Sequence, residues 1–277
     1  MRKVDQLRRT KSATMTTLTA LCTVTAVGIL LIILGYIALQ GIGSINLRFL
    51  VESPKPVGEG GGIGNAILGT LVLLGLSSVI GLPLGIAVGV YLSEFGTGRF
   101  GSIVRFLVDT LTGIPSIVTG VFVYTIVVVP LKHFSALAGG VALALIMIPI
   151  IARTTEEMLK LVPHSLREGA LALGAPQWRV TLGVVIPAAA SGIATGAMLA
   201  IARISGETAP LLFTAFGSRF FSYYLDQSIA SLTVQIYNYA ISPYDEWHAQ
   251  AWAATLVLMT LILSINIAVR FLTRGKV

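Results

Sequence analysis

Apolar positions along this chain gather into long uncharged runs. They cover residues 12–47, 60–93, 110–131, 134–152, 180–202 and 247–269. Crossing a ~30 Å hydrocarbon core as a helix takes ~20 residues, and each run is about that long or longer. A backbone inside lipid must satisfy its own polar groups, which a helix does within one segment. The pattern therefore predicts an all-α membrane protein with six transmembrane helices. Residues 81, 85 and 89 are glycines, and Ala188, Gly192, Gly196 and Ala200 repeat the same spacing. Small residues four apart let another helix approach closely, so both stripes are expected to pack inside the membrane. Pro83, Pro115 and Pro149 fall within runs and are expected to kink them.

Composition agrees with this pattern. The 277 residues are 55% apolar and 11% charged, against about 25% charged in an average soluble domain. With 19 basic and 12 acidic side chains there is too little charge to cover a water-facing globule of this size. The basic N-terminus followed by an apolar stretch invites comparison with a signal peptide, whose apolar core runs about 7–15 residues. Here the run continues to about Leu39 without a small-residue cleavage site, and it reads as a retained span.

The net charge of +7 comes without a basic stripe or interleaved aromatics, which argues against nucleic acid. Topology explains it better. Six spans put both termini on one side, together with Arg99, Arg105, Arg153, Lys160, Arg167 and Arg179. The N-terminal Arg2, Lys3, Arg8, Arg9 and Lys11 and the C-terminal Arg270, Arg274 and Lys276 share that side. The opposite side keeps Arg48, Lys55, Lys132, Arg203 and Arg219. Basic residues accumulate in the cytoplasm, so both termini are expected to be cytoplasmic. The lone Cys22 allows no internal disulfide and no cysteine-based metal site. His133, His164 and His248 share no ligand spacing, and neither a metal nor a cofactor is expected.

The cytoplasmic loop 153–179 carries the most information. Its Glu168-Gly169-Ala170-Leu171-Ala172-Leu173-Gly174 combines helix formers with a helix-ending glycine. Ala175-Pro176 follow, and Val184-Val185-Ile186-Pro187 open the fifth run. This arrangement resembles the E-A-A, three residues, G, nine residues, I-x-L-P loop of ABC-importer permeases. Glu168, Ala170, Gly174 and Pro187 are in register; Gly169 replaces an alanine, Val184 the isoleucine and Ile186 the leucine. Physically this is a short helix outside the bilayer, with Ala170 and Gly174 on one side of it.

Two further stretches narrow the resemblance. Residues 111–118 (LTGIPSIV) resemble the third-span signature of phosphate-importer permeases. Residues 202–215 (ARISGETAPLLFTA) are similar to the matching segment of the PstA-type subunit, as is Tyr91-Leu92-Ser93-Glu94-Phe95. Ala209 separates the chain from the PstC type, which usually has methionine there. The similarity runs from about Gly60 to the C-terminus. It implies a type I ABC-importer permease architecture, with residues 60–277 as the permease core. Residues 1–59 hold the arm, first helix and external loop. It also implies a multi-pass protein of a bacterial or archaeal plasma (inner) membrane. Glu168, Gly169, Ala170 and Gly174 would then dock an ATPase subunit. The partners implied are a PstC-type permease, two PstB-type ATPases and a PstS-type phosphate-binding protein.

Arg203 and Glu207 stand out without any family. Counted from Pro187, Arg203 lies ~24 Å along the fifth helix, within the outer half of the bilayer. An arginine at mid-span costs roughly 2.5–3.5 kcal/mol on insertion scales. The four-residue spacing puts both charges on the face of the small-residue stripe. Two readings stand side by side. The pair either neutralises itself near the interface, or lines a path on which guanidinium offers an oxyanion a planar pair of donors. Thr208 and Ser116, with Thr112 and Thr214, supply hydroxyls for such a path, while Gly206 and Pro210 allow the helix to break.

Aromatics crowd residues 211–247, consistent with an interfacial belt, and 228–241 is apolar enough for a re-entrant or interfacial helix. No G-x-x-x-x-G-K-[ST] occurs and no Ser/His/Asp or Cys/His arrangement is evident, so ATP hydrolysis must come from a separate protein. The leading expectation is a non-enzymatic permease subunit of a phosphate ABC importer. The alternatives are a permease for another oxyanion such as sulfate or molybdate, or a stand-alone secondary transporter.

Overall fold

The computed structural model describes residues 2–274 and is helical throughout its regular elements. Of the topology-setting charges, Lys276 and the side chains of Arg2, Lys3 and Arg274 lie outside the described residues. The chain begins with the 40-residue helix α1 (Arg2–Gly41) and the short α2 (Leu47–Val51). Next come α3 (Gly64–Glu94), α4 (Arg99–Gly113), α5 (Ser116–Val123), α6 (Val129–Leu131) and α7 (Ala136–Lys160). After them are α8 (His164–Ala172), α9 (Gln177–Val180), α10 (Ile186–Ser205), α11 (Ala209–Thr214), α12 (Leu232–Ala240) and α13 (Asp245–Arg274). Five helices are long and apolar enough to cross a membrane, or six where the bent pair Arg99–Gly113 and Ser116–Leu131 is counted as one span.

The enclosed element is α7. Its apolar window is 61% buried, the largest share among the five long helices. Both glycine stripes face it. A Cβ on Gly81, Gly85 or Gly89 would lie 3.0, 2.6 or 2.6 Å from Met147, Ile151 or Ala152. Numbers rise together along the two helices, so α3 and α7 run parallel. On the other side Gly192 meets Met158 and Gly196 meets Thr154, an antiparallel match that seats α10. Parallel α3 and α7 require a return between them, which the bent pair Arg99–Gly113 and Ser116–Leu131 supplies when counted as one span. Replacing Gly85 with valine should destabilise the fold by about 1–3 kcal/mol through overpacking against Ile151. A melting temperature equal to wild type in the purified chain would contradict this packing.

The third apolar run is a correction. Residues 110–131 read as one span, yet the helix breaks by 104° between Gly113 and Ser116. Pro115 has no N–H to donate and holds Ile114 extended at ψ 130°. α4 therefore lies across the direction of α5, with Phe100, Ile103 and Phe106 exposed. The fifth span also begins earlier than Pro187: a continuous helix runs Gln177–Ser205. It absorbs Pro187 through a π-helical turn, Thr181–Val185, closed by Ile186 N–H donating to Thr181 O. Widening the ladder by one residue accommodates the missing donor. Tyr124–Val128 does the same ahead of Pro130.

A charged cluster at one end of the bundle gave no sequence-level expectation. Glu156 is fully buried and accepts from Arg105 Nε at 2.7 Å and Lys160 Nζ at 2.6 Å, with Arg153 Nη1 3.5 Å from its other oxygen. Arg105 Nη2 also donates to Leu92 O at 2.9 Å. Arg105 of α4 thereby reaches the end of α7 through the Glu156 carboxylate and the end of α3 through Leu92 O.

Candidate substrate path and coupling helix

Arg203 sits in the last turn of α10, where Gly206 ends the helix and Glu207 N–H folds back to Ile204 O at 3.1 Å. Pro210 then starts α11 in the first helical turn, where its missing N–H costs nothing. This break turns Glu207 back towards Arg203, and Arg203 Nη1 donates to Glu207 Oε1. The two ends of the pair differ in environment: the arginine side chain is 55% exposed and the carboxylate 6%. Glu207 is held from behind as well, its carbonyl accepting from Thr233 Oγ1 of α12 at 2.8 Å. The segment read as re-entrant or interfacial is thus a helix that braces the charged pair.

Counted from Gln177, Arg203 lies ~39 Å along its helix rather than ~24 Å, at the end of the span. There it borders a cavity of about 330 Å³ formed where the α4–α5 break opens against α7. Thr112, Ser116 and Thr119 contribute hydroxyl-bearing side chains to the wall, while Leu145, Ile146 and Ile150 make its apolar side. Arg203 is the charged residue of this lining. The structure therefore puts Arg203, Ser116 and Thr112 of the sequence-derived candidates on one cavity wall and pairs Glu207 with Arg203, while the Thr112 hydroxyl donates to Val108 O at 2.9 Å. Thr208 is half-buried ahead of α11 and lies outside the cavity lining, and Thr214 is spent on Pro210 O at 2.7 Å. Thr119 was missed; its spacing of three from Ser116 is the signal that places both on one helix face.

At the far end of the same continuous helix stands α8. Glu168, Gly169 and Gly174 are exposed, along with Leu171 and Leu173. Gly174 takes φ +82°, a conformation glycine adopts without strain. Its N–H donates to Leu171 O at 2.9 Å and that of Ala175 to Ala170 O at 3.4 Å, a Schellman closure. Ala170 departs from the expected outward face. It is half-buried and packs on the cluster of Leu159, Val162 and Val180.

A second cavity of about 380 Å³ is lined by Lys55, Arg219, Ser231, Gln235 and Tyr239 among others. Burial pushes the Tyr239 phenol above its ordinary range. No group of histidine, cysteine and carboxylate side chains arranged to hold a metal occurs among the described residues.

Comparison with known proteins places this geometry in a family. The profile of the binding-protein-dependent transport system inner membrane component family matches residues 81–276. The phosphate transport system permease protein PstA of Yersinia pestis is 49% identical over 86% of this chain and 81% of its own length. The PstA of Haemophilus influenzae is 46% identical over 86% and 84%. Among solved structures, an inward-facing MetNI methionine ABC transporter chain superposes with a TM-score of 0.65 at 22% identity, over 78% of this chain and 97% of its own. A bacterial ABC transporter for the acidic polysaccharide alginate gives 0.63 at 16%, over 93% and 95%. These two show the fold alone: the helical arrangement is that of ABC-importer permeases. The chain belongs to the binding-protein-dependent transport system inner membrane component family, with PstA permeases among its relatives.

Proposed function

We propose that this chain is a transmembrane permease subunit of an ATP-driven importer of inorganic phosphate. It supplies half of the translocation path and the docking helix for an ATPase subunit. One observation carries this reading: a single helix, Gln177–Ser205, has the exposed α8 just before one end and Arg203 with its cavity at the other. A helix of that length links the two faces of the membrane. The names of the relatives supply phosphate as the substrate class.

Phosphate entering the membrane loses water, and an unpaired ion in a low-dielectric medium costs tens of kcal/mol by Born arguments. Arg203 offsets part of that cost with parallel donors matched to two phosphate oxygens. Ser116, at the same cavity, offers a hydroxyl to a third. Glu207 competes for the guanidinium, so binding stays weak enough for release onward; Thr208 stands beside it at the helix break. Glu168, Gly169 and Gly174 face the ATPase, and Ala170 seats α8 on the bundle. The expected partners are a second, PstC-type permease, two PstB-type ATPases and a PstS-type binding protein. Both termini lie in the cytoplasm of a bacterial or archaeal cell, with the chain in the plasma (inner) membrane.

The test is reconstitution with these partners. Phosphate-loaded binding protein should stimulate ATP hydrolysis several-fold over the unloaded protein. Equal hydrolysis with and without phosphate would contradict the proposal.

A further inference from the structure

Arg167 immediately precedes Glu168 on α8, yet it turns the other way. Its Nη1 lies 3.1 Å from Glu94 Oε1 and its Nη2 donates to Leu159 O at 2.6 Å. Both partners are largely enclosed, the arginine side chain 17% exposed and the glutamate 6%. Glu94 is the last residue of α3, and Leu159 lies one residue before the end of α7. The same glutamate receives the other end of the cytoplasmic loop, because Gln177 Nε2 donates to Glu94 O at 3.3 Å. Ser93 Oγ donates to Glu94 Oε1 at 3.1 Å and helps to fix the carboxylate. α8 also meets the bundle through the small apolar contact of Ala170.

We propose that Arg167 and Glu94 form the strut through which displacement of α8 reaches the membrane helices. This rests on the reading of α8 as the ATPase-docking helix. The guanidinium grips two parallel helices at once, α3 by the Glu94 carboxylate and α7 by a carbonyl of its last turn. An apolar contact slides under load, whereas a directional, largely dry ion pair with a second hydrogen bond holds its geometry. Packed chains of such contacts carry coupling between distant sites. Because α3 and α7 are locked together by the glycine stripe, pulling on their ends moves them as one body. Arg167 and Glu94 are positioning residues: neither reaches the cavity at Arg203.

The whole complex in proteoliposomes tests this through the ratio of labelled phosphate imported to ATP hydrolysed. Arg167→Gln and Glu94→Gln should each lower that ratio roughly tenfold, within the coupling energies found for contacting pairs. The double variant should be no worse than either single one, and Arg167→Lys, which keeps a cation facing Glu94, should recover most of the loss. Assembly is scored by copurification of the ATPase, and Glu94→Gln, which leaves α8 unaltered, carries the same expectation if Arg167→Gln does not assemble. A cysteine at exposed Leu171 reports contact with the ATPase by crosslinking. Crosslinking together with wild-type ratios in the single variants, or losses that multiply in the double, overturns the strut alone. No crosslink overturns the docking reading and the strut with it.

Discussion

Arg203→Gln is expected to abolish phosphate uptake while the complex still assembles. The arginine is the charged residue on the cavity wall, and glutamine offers neither a charge nor the paired donors of a guanidinium. Removing one partner from a pair also leaves Glu207 enclosed with its charge unmatched. That second effect is why the double variant Arg203→Gln/Glu207→Gln is informative. If the pair only neutralises itself, the double variant recovers uptake. If Arg203 receives the substrate, uptake stays lost although the buried charge is gone. Arg203→Lys should fall between, since a point charge replaces bidentate donors.

Glu156→Ala should cost more stability than Gly85→Val or Glu157→Ala. This carboxylate is fully buried and meets Arg105, Lys160 and Arg153 together. Breaking a buried pair by removing one member typically costs about 3–5 kcal/mol. Here it also removes the carboxylate that ties Arg105 of α4 to the end of α7, so the purified complex should melt lower and accumulate less in the membrane. Glu157, its neighbour, is half-exposed and pairs with Arg153 at 3.2 Å. An exposed pair contributes at most about 1 kcal/mol, so Glu157→Ala should be nearly silent. Equal stability of the two variants would refute the role given to Glu156.

These contrasts follow the line between what the chain declares and what only folding assembles. The spans were legible because lipid demands long uncharged runs, and the glycine stripes because close helix approach demands small residues. Both stripes meet α7, a pairing that spacing alone leaves open. The break at Ile114-Pro115 was visible as a proline, but the surrounding residues are so apolar that hydropathy carried the span through it. The early start of the fifth helix was hidden in a similar way. Gln177, Trp178 and Arg179 read as loop by polarity, and a π turn let the helix pass Pro187. That shift moved Arg203 to the end of its span.

The candidate site was half legible. Arg203 and Glu207 announce themselves as charges at helical spacing beside a membrane run. That Arg203 shares a cavity wall with Ser116 joins residues nearly ninety positions apart and has no local signal. The same holds for Arg105 with Glu156 and for Arg167 with Glu94. The α8 helix and its closing Gly174 were readable, since a left-handed glycine after alanine and leucine ends a helix for local reasons. The inward turn of Ala170 depends on Val162 and Val180, which only the folded loop brings beneath it.

As proposed, this chain passes phosphate only when driven by an ATPase partner. The most direct test is uptake of labelled phosphate into vesicles holding the reconstituted complex, with and without ATP and with excess sulfate or molybdate. The account predicts uptake that requires ATP and both permease and ATPase subunits, and that survives the competing oxyanions. Phosphate entry through this chain alone, or uptake abolished by sulfate or molybdate, would contradict it.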